Sequence, residues 1–393
     1  MSEQQAEATT PQINQSTPAA NPSTPASTEG TSVNTEGTPL HFGDMSGEQW
    51  ALEKGEAVTP LSHLGVVRVS GADRQSWLTT LSSQVITGMQ PGQSRELLLL
   101  DVRGHIDFAA AVGDDGEGTL LILERERVDS LVDFLNSMKF MLRVEVADIS
   151  DDVEVFGRVV PKGTAFDVLE GSALTWVDPW PDVQPGGATY TPEGFNHPAD
   201  SRRRVLDLIP KAKAQAVSSK YPQAGMVAWE ALRVEDLRPR WATEVDAKAV
   251  PHELDWLRTA VHIDKGCYCG QETVARILNL GRPPRRLVLL QLDGSRSWQA
   301  QHGDEVKVGE RRVGVVTTPV RHADYGPMAL ALVRRGLDPA VQVDVMTEDG
   351  PVAAAQEIVV DPQGKSSVSP EERPGANLRG GLGRQLRRGR KTK

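Results

Sequence analysis

What this sequence has little of narrows it first. Only two cysteines occur in 393 residues, Cys267 and Cys269. They are too few for a disulfide framework, and residues two apart seldom reach the geometry for a bridge to each other. They read as reduced thiols, as expected of a cytoplasmic protein. No apolar run approaches the roughly 20 residues that a membrane helix needs. The N-terminal stretch is Ser, Thr, Gln and Pro where a signal peptide would place an apolar segment. Positive charge is in deficit, 43 Lys and Arg against 53 Asp and Glu for a net charge of −10, so the chain as a whole is set against nucleic acid and anionic membranes. Gly-x-Ser-x-Gly and His-Glu-x-x-His are both missing, which removes the signatures of strand-elbow hydrolases and helical zinc peptidases. What is abundant is core material: 39% of the residues are hydrophobic, enough for two or three domains.

Composition divides the chain. Residues 1–45 lack large apolar side chains over most of their length and read as a disordered tail. Residues 361–393 form a second tail, rich in Pro, Ser and Glu and then basic from Arg379 to Lys393. A solvated low-complexity end is the reading that composition favours there, with a weak RNA contact as the functional alternative. Between the tails, strand and helix signals alternate. Leu64–Ser70 reads as a strand, and a capping-box spacing at Ser70 opens a helix carrying Trp77, Leu78, Leu81 and Val85 on one face. Four consecutive leucines before Asp101 mark a fully buried strand, turned at Gly104 into a second strand from Ile106. Val128, Leu131, Val132, Leu135 and Met138 define an amphipathic helix. Hairpins mixed with single helices predict an α+β fold over 46–281. Asp178 to Asp200 is a long Pro- and Gly-rich loop. Beyond a boundary at Gly281-Arg282-Pro283-Pro284, short strands separated by Gly and Asp turns describe a small β-barrel over 282–360.

Chemistry concentrates at 264–276, where both cysteines lie between Gly266 and Gly270 on what reads as a tight loop. Lys265 beside Cys267 favours the thiolate, and Gln271, Glu272 and Arg276 open a helix whose first amides face the loop. Cys-x-Cys supplies at most two soft ligands, so a closed zinc site would need His262 and one more residue.

The segment Lys265-Gly266-Cys267-Tyr268-Cys269-Gly270-Gln271-Glu272 resembles the Lys-Gly-Cys-Tyr-x-Gly-Gln-Glu signature of the YgfZ family, folate-binding proteins related to the glycine-cleavage T-protein (GcvT, aminomethyltransferase). Cys267 takes the family cysteine's place and Cys269 the variable one. The likeness runs from about Leu61 to Val333, including Arg286-Leu287-Val288 and Gly314-Val315-Val316-Thr317. It implies a T-protein-like fold with a central folate cavity, and a role in assembling or repairing iron-sulfur clusters in client enzymes, a tRNA-modifying one among them, alongside cluster-assembly proteins. Leu232-Arg233-Val234-Glu235 resembles the T-protein Leu-Arg-Leu-Glu segment, which makes Glu235 the expected pterin ligand with Arg233 beside it. Two carboxylate oxygens suit the aminopyrimidine edge. Tyr268, Gln271, Glu272 and Arg276 complete the expected cofactor-binding set, and Arg276 is the candidate for the folate's anionic tail. Arg202, Arg203, Arg204, Arg238 and Arg240 are cationic alternatives, although consecutive arginines more often mark a solvated face.

One departure separates the chain from T-proteins. Their aspartates after the Gly turn fall on Phe108 and Ala109 in an ungapped alignment, which leaves Asp107 out of register. The expectation is therefore a tetrahydrofolate-binding accessory protein. In it Cys267, with Lys265 beside it, supplies a functional thiol and a transient iron-sulfur ligand. A folate-dependent aminomethyltransferase is the alternative.

Overall fold

The computed structural model describes residues 37–279, 282–295 and 299–370. The first part of the chain supplies helix α1 (Met45–Glu53), strands β1 (Thr59–Pro60) and β2 (Leu64–Ser70), helix α2 (Arg74–Leu81), strands β3 (Ser94–Leu100), β4 (Ile106–Asp114) and β5 (Gly118–Glu124), helix α3 (Val128–Met138) and strand β6 (Glu145–Asp148). Five of these strands form an antiparallel sheet in the order β3-β4-β5-β2-β6. Its two faces explain the leucine run. Successive side chains of a strand point to opposite sides, so Leu97 and Leu99 pack under α3 with Leu131 and Leu135 while Leu98 and Leu100 join a second core with Leu254 and Leu257.

Helix α2 is shorter than its apolar periodicity predicts and ends at Leu81. The hydroxyl of Ser82 donates back to the Leu78 carbonyl (2.7 Å), and the Ser83 amide leaves the helix to pair with Leu98 O (2.9 Å). Val85 thus falls outside the helix. The expected cap is also absent: Asp73 precedes the first turn but commits its carboxylate to Arg143, at 3.0 and 2.7 Å.

A second antiparallel sheet, in the order β1-β7-β9-β8, adds β7 (Val153–Pro161), β8 (Leu174–Val177) and β9 (Arg202–Pro210). Helices α4 (Lys211–Lys220), α5 (Met226–Glu235), α6 (Trp241–Glu244), α7 (Leu257–Ala260) and α8 (Gln271–Asn279) follow. The Asp178–Asp200 loop is packed rather than free: Trp180 and Tyr190 are buried, and the Trp180 indole donates to Asp236 O at 2.9 Å.

The barrel is closed. Strands β10 (Arg285–Leu292), β11 (Glu305–Val308), β12 (Arg311–His322), β13 (Gly326–Arg334), β14 (Val343–Thr347) and β15 (Gly350–Ile358) form the ring β10-β13-β12-β11-β14-β15. β15 pairs back to β10 from Val288–Ile358 to Leu292–Ala354. Val288, Leu290, Val306, Val316, Ala329 and Ala331 belong to its core.

Both tail boundaries move. Thr38 is fully buried against His63, and the carbonyls of Pro39 and Leu40 accept the first amides of α5, from Met226 (2.9 Å) and Val227 (3.0 Å). At the other end, Asp361 N donates to Tyr190 O (2.8 Å) and the Ser369 hydroxyl to Leu278 O (2.8 Å). Gly281 and the basic residues from Arg379 to Lys393 lie outside the described residues.

Candidate functional site

Helix α5 is the element around which the site is built. Its amino end is satisfied from outside, by Pro39 O, Leu40 O and the Glu48 carboxylate, which accepts from Gly225 N at 2.9 Å. A Cβ at residue 225 would lie 2.3 Å from Leu40 O, so glycine is required there. Trp229, Glu230 and Arg233 of this helix line a cavity of about 140 Å³ between the two sheets. That is close to the roughly 150 Å³ that admits a benzene-sized ring. Ala109, Ala110 and Ala111 of β4, Ile122 to Glu124 of β5, Trp176, Asp178, Arg204, His63, Trp241 and Trp256 contribute other parts of the wall.

The wall is densely charged, and its charges are paired. Arg233, 4% exposed, grips Glu230 through Nε (2.9 Å) and Nη2 (2.6 Å), and reaches Glu244 with Nη1 (3.0 Å). Arg240 forms two 2.7 Å bonds to Glu124. Arg238 binds Glu96 (2.6 Å) and Asp178 (2.9 Å). The Arg204 guanidinium lies 3.6 Å above the Trp229 ring. Burial alone would raise the pKa of Glu230, but Arg233, Arg240 and Arg204 outweigh it and hold the carboxyl at about 2, so it is an anion at neutral pH. His63 moves down to about 4, through burial and then Arg240, and is a neutral imidazole.

Three donors in this wall have no hydrogen-bond partner among the described residues: Arg238 Nη1, Trp241 Nε1 and Trp256 Nε1. Arg238 and Trp256 are 6% and 2% exposed. Buried donors are rarely left unmade without cause. A fixed anion, unpaired donors and indole walls together suit a planar heteroaromatic ring carrying both N–H groups and acceptors.

The predicted residues divide between three places. Arg233 lines the cavity. Glu235, the expected pterin ligand, does not: its carboxylate binds Arg202 and, at 3.1 Å, His322 of the barrel, and it helps to lock α5 against β12. An α-helix turns about 100° per residue, so Glu235 stands about 140° from Glu230 around α5, whereas Arg233 stands about 60° from it. Glu230 is thus the cavity acid of this segment. That spacing is visible in Trp229-Glu230-Ala231-Leu232-Arg233-Val234-Glu235, where Glu230 stands about 1.4 helical turns before Glu235. The arginines expected on a solvated face are also misplaced: Arg202 and Arg204 are buried, and Arg202 bonds Asp236 at 2.8 Å.

Lys265, Cys267, Tyr268, Gln271, Glu272 and Arg276 form a separate site, outside the cavity wall. The Lys265 ammonium caps α2, donating to Thr79 O (2.6 Å) and Ser82 O, and stands 4.5 Å over the Tyr268 ring. Burial lowers its pKa to about 8, against the raising effect of Cys267. Tyr268 packs inward and Gln271 bonds Lys265 O (3.3 Å), while Glu272 and Arg276 pair with each other in solvent. Both cysteines are exposed. Among the described residues, no group of three or more His, Cys, Asp and Glu side chains could hold a metal ion.

A bulge opposite Leu99 and Leu100 makes Asp107 the extra residue of β4 and leaves it exposed. Phe108 turns into the α3 core, and Ala109 is the first β4 residue of the cavity wall.

Comparison with known proteins bears on the fold. A crystal structure of the glycine cleavage system aminomethyltransferase from Bartonella henselae superimposes with a TM-score of 0.66 at 17% identity, covering 84% of this chain and 94% of that one. The chain has the aminomethyltransferase fold. In sequence it is 26% identical over 280 residues to a chloroplastic protein of Arabidopsis thaliana assigned as a transferase, covering 68% of this chain and 62% of that protein, so less than two thirds of that relative is spanned. It is 25% identical over 300 residues to the aminomethyltransferase of Synechococcus elongatus, covering 71% and 77%. No family model matches. No helix among the described residues is long and apolar enough to cross a membrane.

Proposed function

We propose that the protein binds tetrahydrofolate in the α5 cavity, Glu230 holding the aminopyrimidine edge of the pterin and Arg238, Trp241 and Trp256 donating to its acceptors. The observation that carries this reading is the set of buried donors without partners among the described residues, in a wall that already holds a fixed carboxylate. Arg233 is the positioning residue that keeps Glu230 ionised and oriented.

The folate serves an accessory role of the YgfZ kind, in which Cys267 is presented to iron-sulfur client enzymes, tRNA-modifying ones included, and to cluster-assembly proteins as a functional thiol and transient ligand. Two features support this over aminomethyl transfer. Ala109 stands at the cavity wall, with the nearby Asp107 carboxylate exposed on a bulge. The thiol lies on an exposed loop outside the cavity, where a macromolecule can reach it. One thiolate suits a transient contact, since a stable cluster takes four ligands. A contact with RNA through the basic C-terminal residues would be an addition, lost when residues after Ala376 are removed.

The test is rescue. In a strain lacking the gene, iron-sulfur enzyme activity returns with the wild type and fails to return with Cys267→Ala or Glu230→Gln at matched protein levels. Full rescue by both variants overturns the reading. Methylene transfer to added tetrahydrofolate by the purified protein assigns it to the transferases instead.

A further inference from the structure

A second polar pocket lies across strand β3 from the α5 cavity. Arg95 and Glu96 are consecutive residues of that strand, so their side chains point to opposite faces. Glu96 belongs to the wall of the α5 cavity, and Arg95 to a separate pocket of about 190 Å³. The rest of this pocket comes from the turn after α2, from Gln184 of the Asp178–Asp200 loop, and from His262, just before the cysteine loop. Among the described residues no Asp or Glu lines it, although acids outnumber bases in the chain by 53 to 43.

The pocket has donors to spare. Arg95 spends only Nη1, on Ser94 O (3.0 Å), and has no acidic partner among the described residues. His262 Nδ1 accepts from Asp264 N (3.3 Å), so the neutral ring carries its hydrogen on Nε2, which has no partner among the described residues. The ring rests on Gly186, where a Cβ would lie 2.5 Å from Cδ2, Cε1 and Nε2, so its place depends on glycine. Gln184 is anchored by its backbone, donating to Arg258 O (2.9 Å), and its side-chain amide makes no hydrogen bond among the described residues. The remaining polar groups are already committed. Gln84 bonds Thr259 O and Val85 N (both 2.9 Å), and the Thr87 and Gly88 amides go to Thr79 Oγ1 (2.8 Å) and Gln75 Oε1 (2.9 Å). What is left is a guanidinium, an imidazole N–H and a carboxamide, brought together from three segments of the chain. Donors from several directions suit a phosphate group, whose three terminal oxygens accept where a carboxylate offers two. The volume exceeds the roughly 150 Å³ that admits a benzene-sized ring, which leaves room for a short organic group beside the phosphate.

We infer that this pocket binds the phosphate group of a low-molecular-weight ligand, with Arg95 pairing to two of its oxygens and His262 and Gln184 donating to the third. The site stands independently of folate binding. Its occupant is held at the root of the cysteine loop, since His262 precedes Lys265 by three residues.

The full-length protein is titrated calorimetrically at low ionic strength with inorganic phosphate, glycerol 3-phosphate and acetate. Both phosphates are expected to bind at one site and acetate at least about tenfold more weakly. Tighter binding of glycerol 3-phosphate assigns an ester as the occupant, and equal or tighter binding of inorganic phosphate assigns the free anion. Arg95→Met and His262→Phe are each expected to weaken phosphate binding by about tenfold or more, the worth of a charge-assisted hydrogen bond. Arg103→Met, which removes an exposed charge outside the pocket, is expected to leave it unchanged. Circular dichroism checks the fold, and if His262→Phe loses it, Arg95→Met alone decides. No phosphate binding, acetate binding as tight as phosphate, or unchanged affinity in a folded Arg95→Met overturns the proposal.

Discussion

Replacing Glu230 by glutamine tests the cavity most sharply, because the change keeps the side chain's volume while removing its charge and one acceptor; it also weakens the ion pair with Arg233, whose other anion is Glu244, so urea unfolding is measured alongside binding. The carboxylate can offer two parallel charge-assisted bonds to an aminopyrimidine edge, and bonds to charged groups contribute roughly 1.5–3 kcal/mol each. The amide retains one neutral acceptor. The expected loss of tetrahydrofolate affinity is therefore about 2–4 kcal/mol, roughly 30- to 1,000-fold. Glu235→Gln is the matched control, five residues along the same helix but bonded to Arg202 and His322 outside the cavity wall. It should change affinity less than about threefold, within the ordinary scatter of a residue that touches no ligand. Four tryptophans, 176, 229, 241 and 256, line the cavity, so quenching of intrinsic fluorescence during a titration reads binding directly. If Glu230→Gln binds as the wild type does, or if Glu235→Gln is the variant that fails, the assignment of the pterin acid is refuted.

Other consequences follow from burial and charge. Arg233→Met leaves Glu230 and Glu244 without their shared cation and should destabilise the fold by about 3–5 kcal/mol in urea unfolding, whereas Arg203→Met, which breaks the half-exposed pair with Asp182, should cost less than about 1 kcal/mol. His63, His197 and His252 are held down to about 4, 3 and 4, chiefly by burial. They stay neutral in the folded chain while the unfolded chain protonates near 6.5. The stability they confer is complete above that value and lost as pH falls through the folded values, so unfolding midpoints should drop on acidification from pH 6.5 towards 4; a flat profile contradicts the burial. Lys265→Met removes a charged cap from two carbonyls at the end of α2 and should lower stability by about 1–2 kcal/mol by the same measurement.

Much of this architecture was legible in the amino-acid pattern, and the exceptions have physical causes. The four leucines of β3, the amphipathic α3 and the Gly- and Asp-punctuated barrel strands each carry a periodicity that burial imposes. The strand character of β9 is masked by its opening Arg202-Arg203-Arg204, whose charges are met by Asp236, Glu235 and Asp182 and by the Trp229 face. β15 carries little strand signal of its own, since Ala353, Ala354 and Ala355 are weak strand formers. Local pattern also could not show that the cysteine loop and the α5 acid stand apart, since the two are joined only through the folded chain. Helix geometry separates Glu230 from Glu235 by about 140°, and the packing of α5 against the two sheets turns Glu230 to the cavity.

The closed barrel sets the order in which the chain can be completed. The strand that seals the ring, Gly350–Ile358, is the last of its six strands made during synthesis, and until it emerges β10 and β14 each present an unpaired edge. A chain stopped before Gly350 therefore leaves two sticky borders where the finished one has none. The Glu235–His322 lock ties α5 to β12, a strand of the ring that those nine residues close.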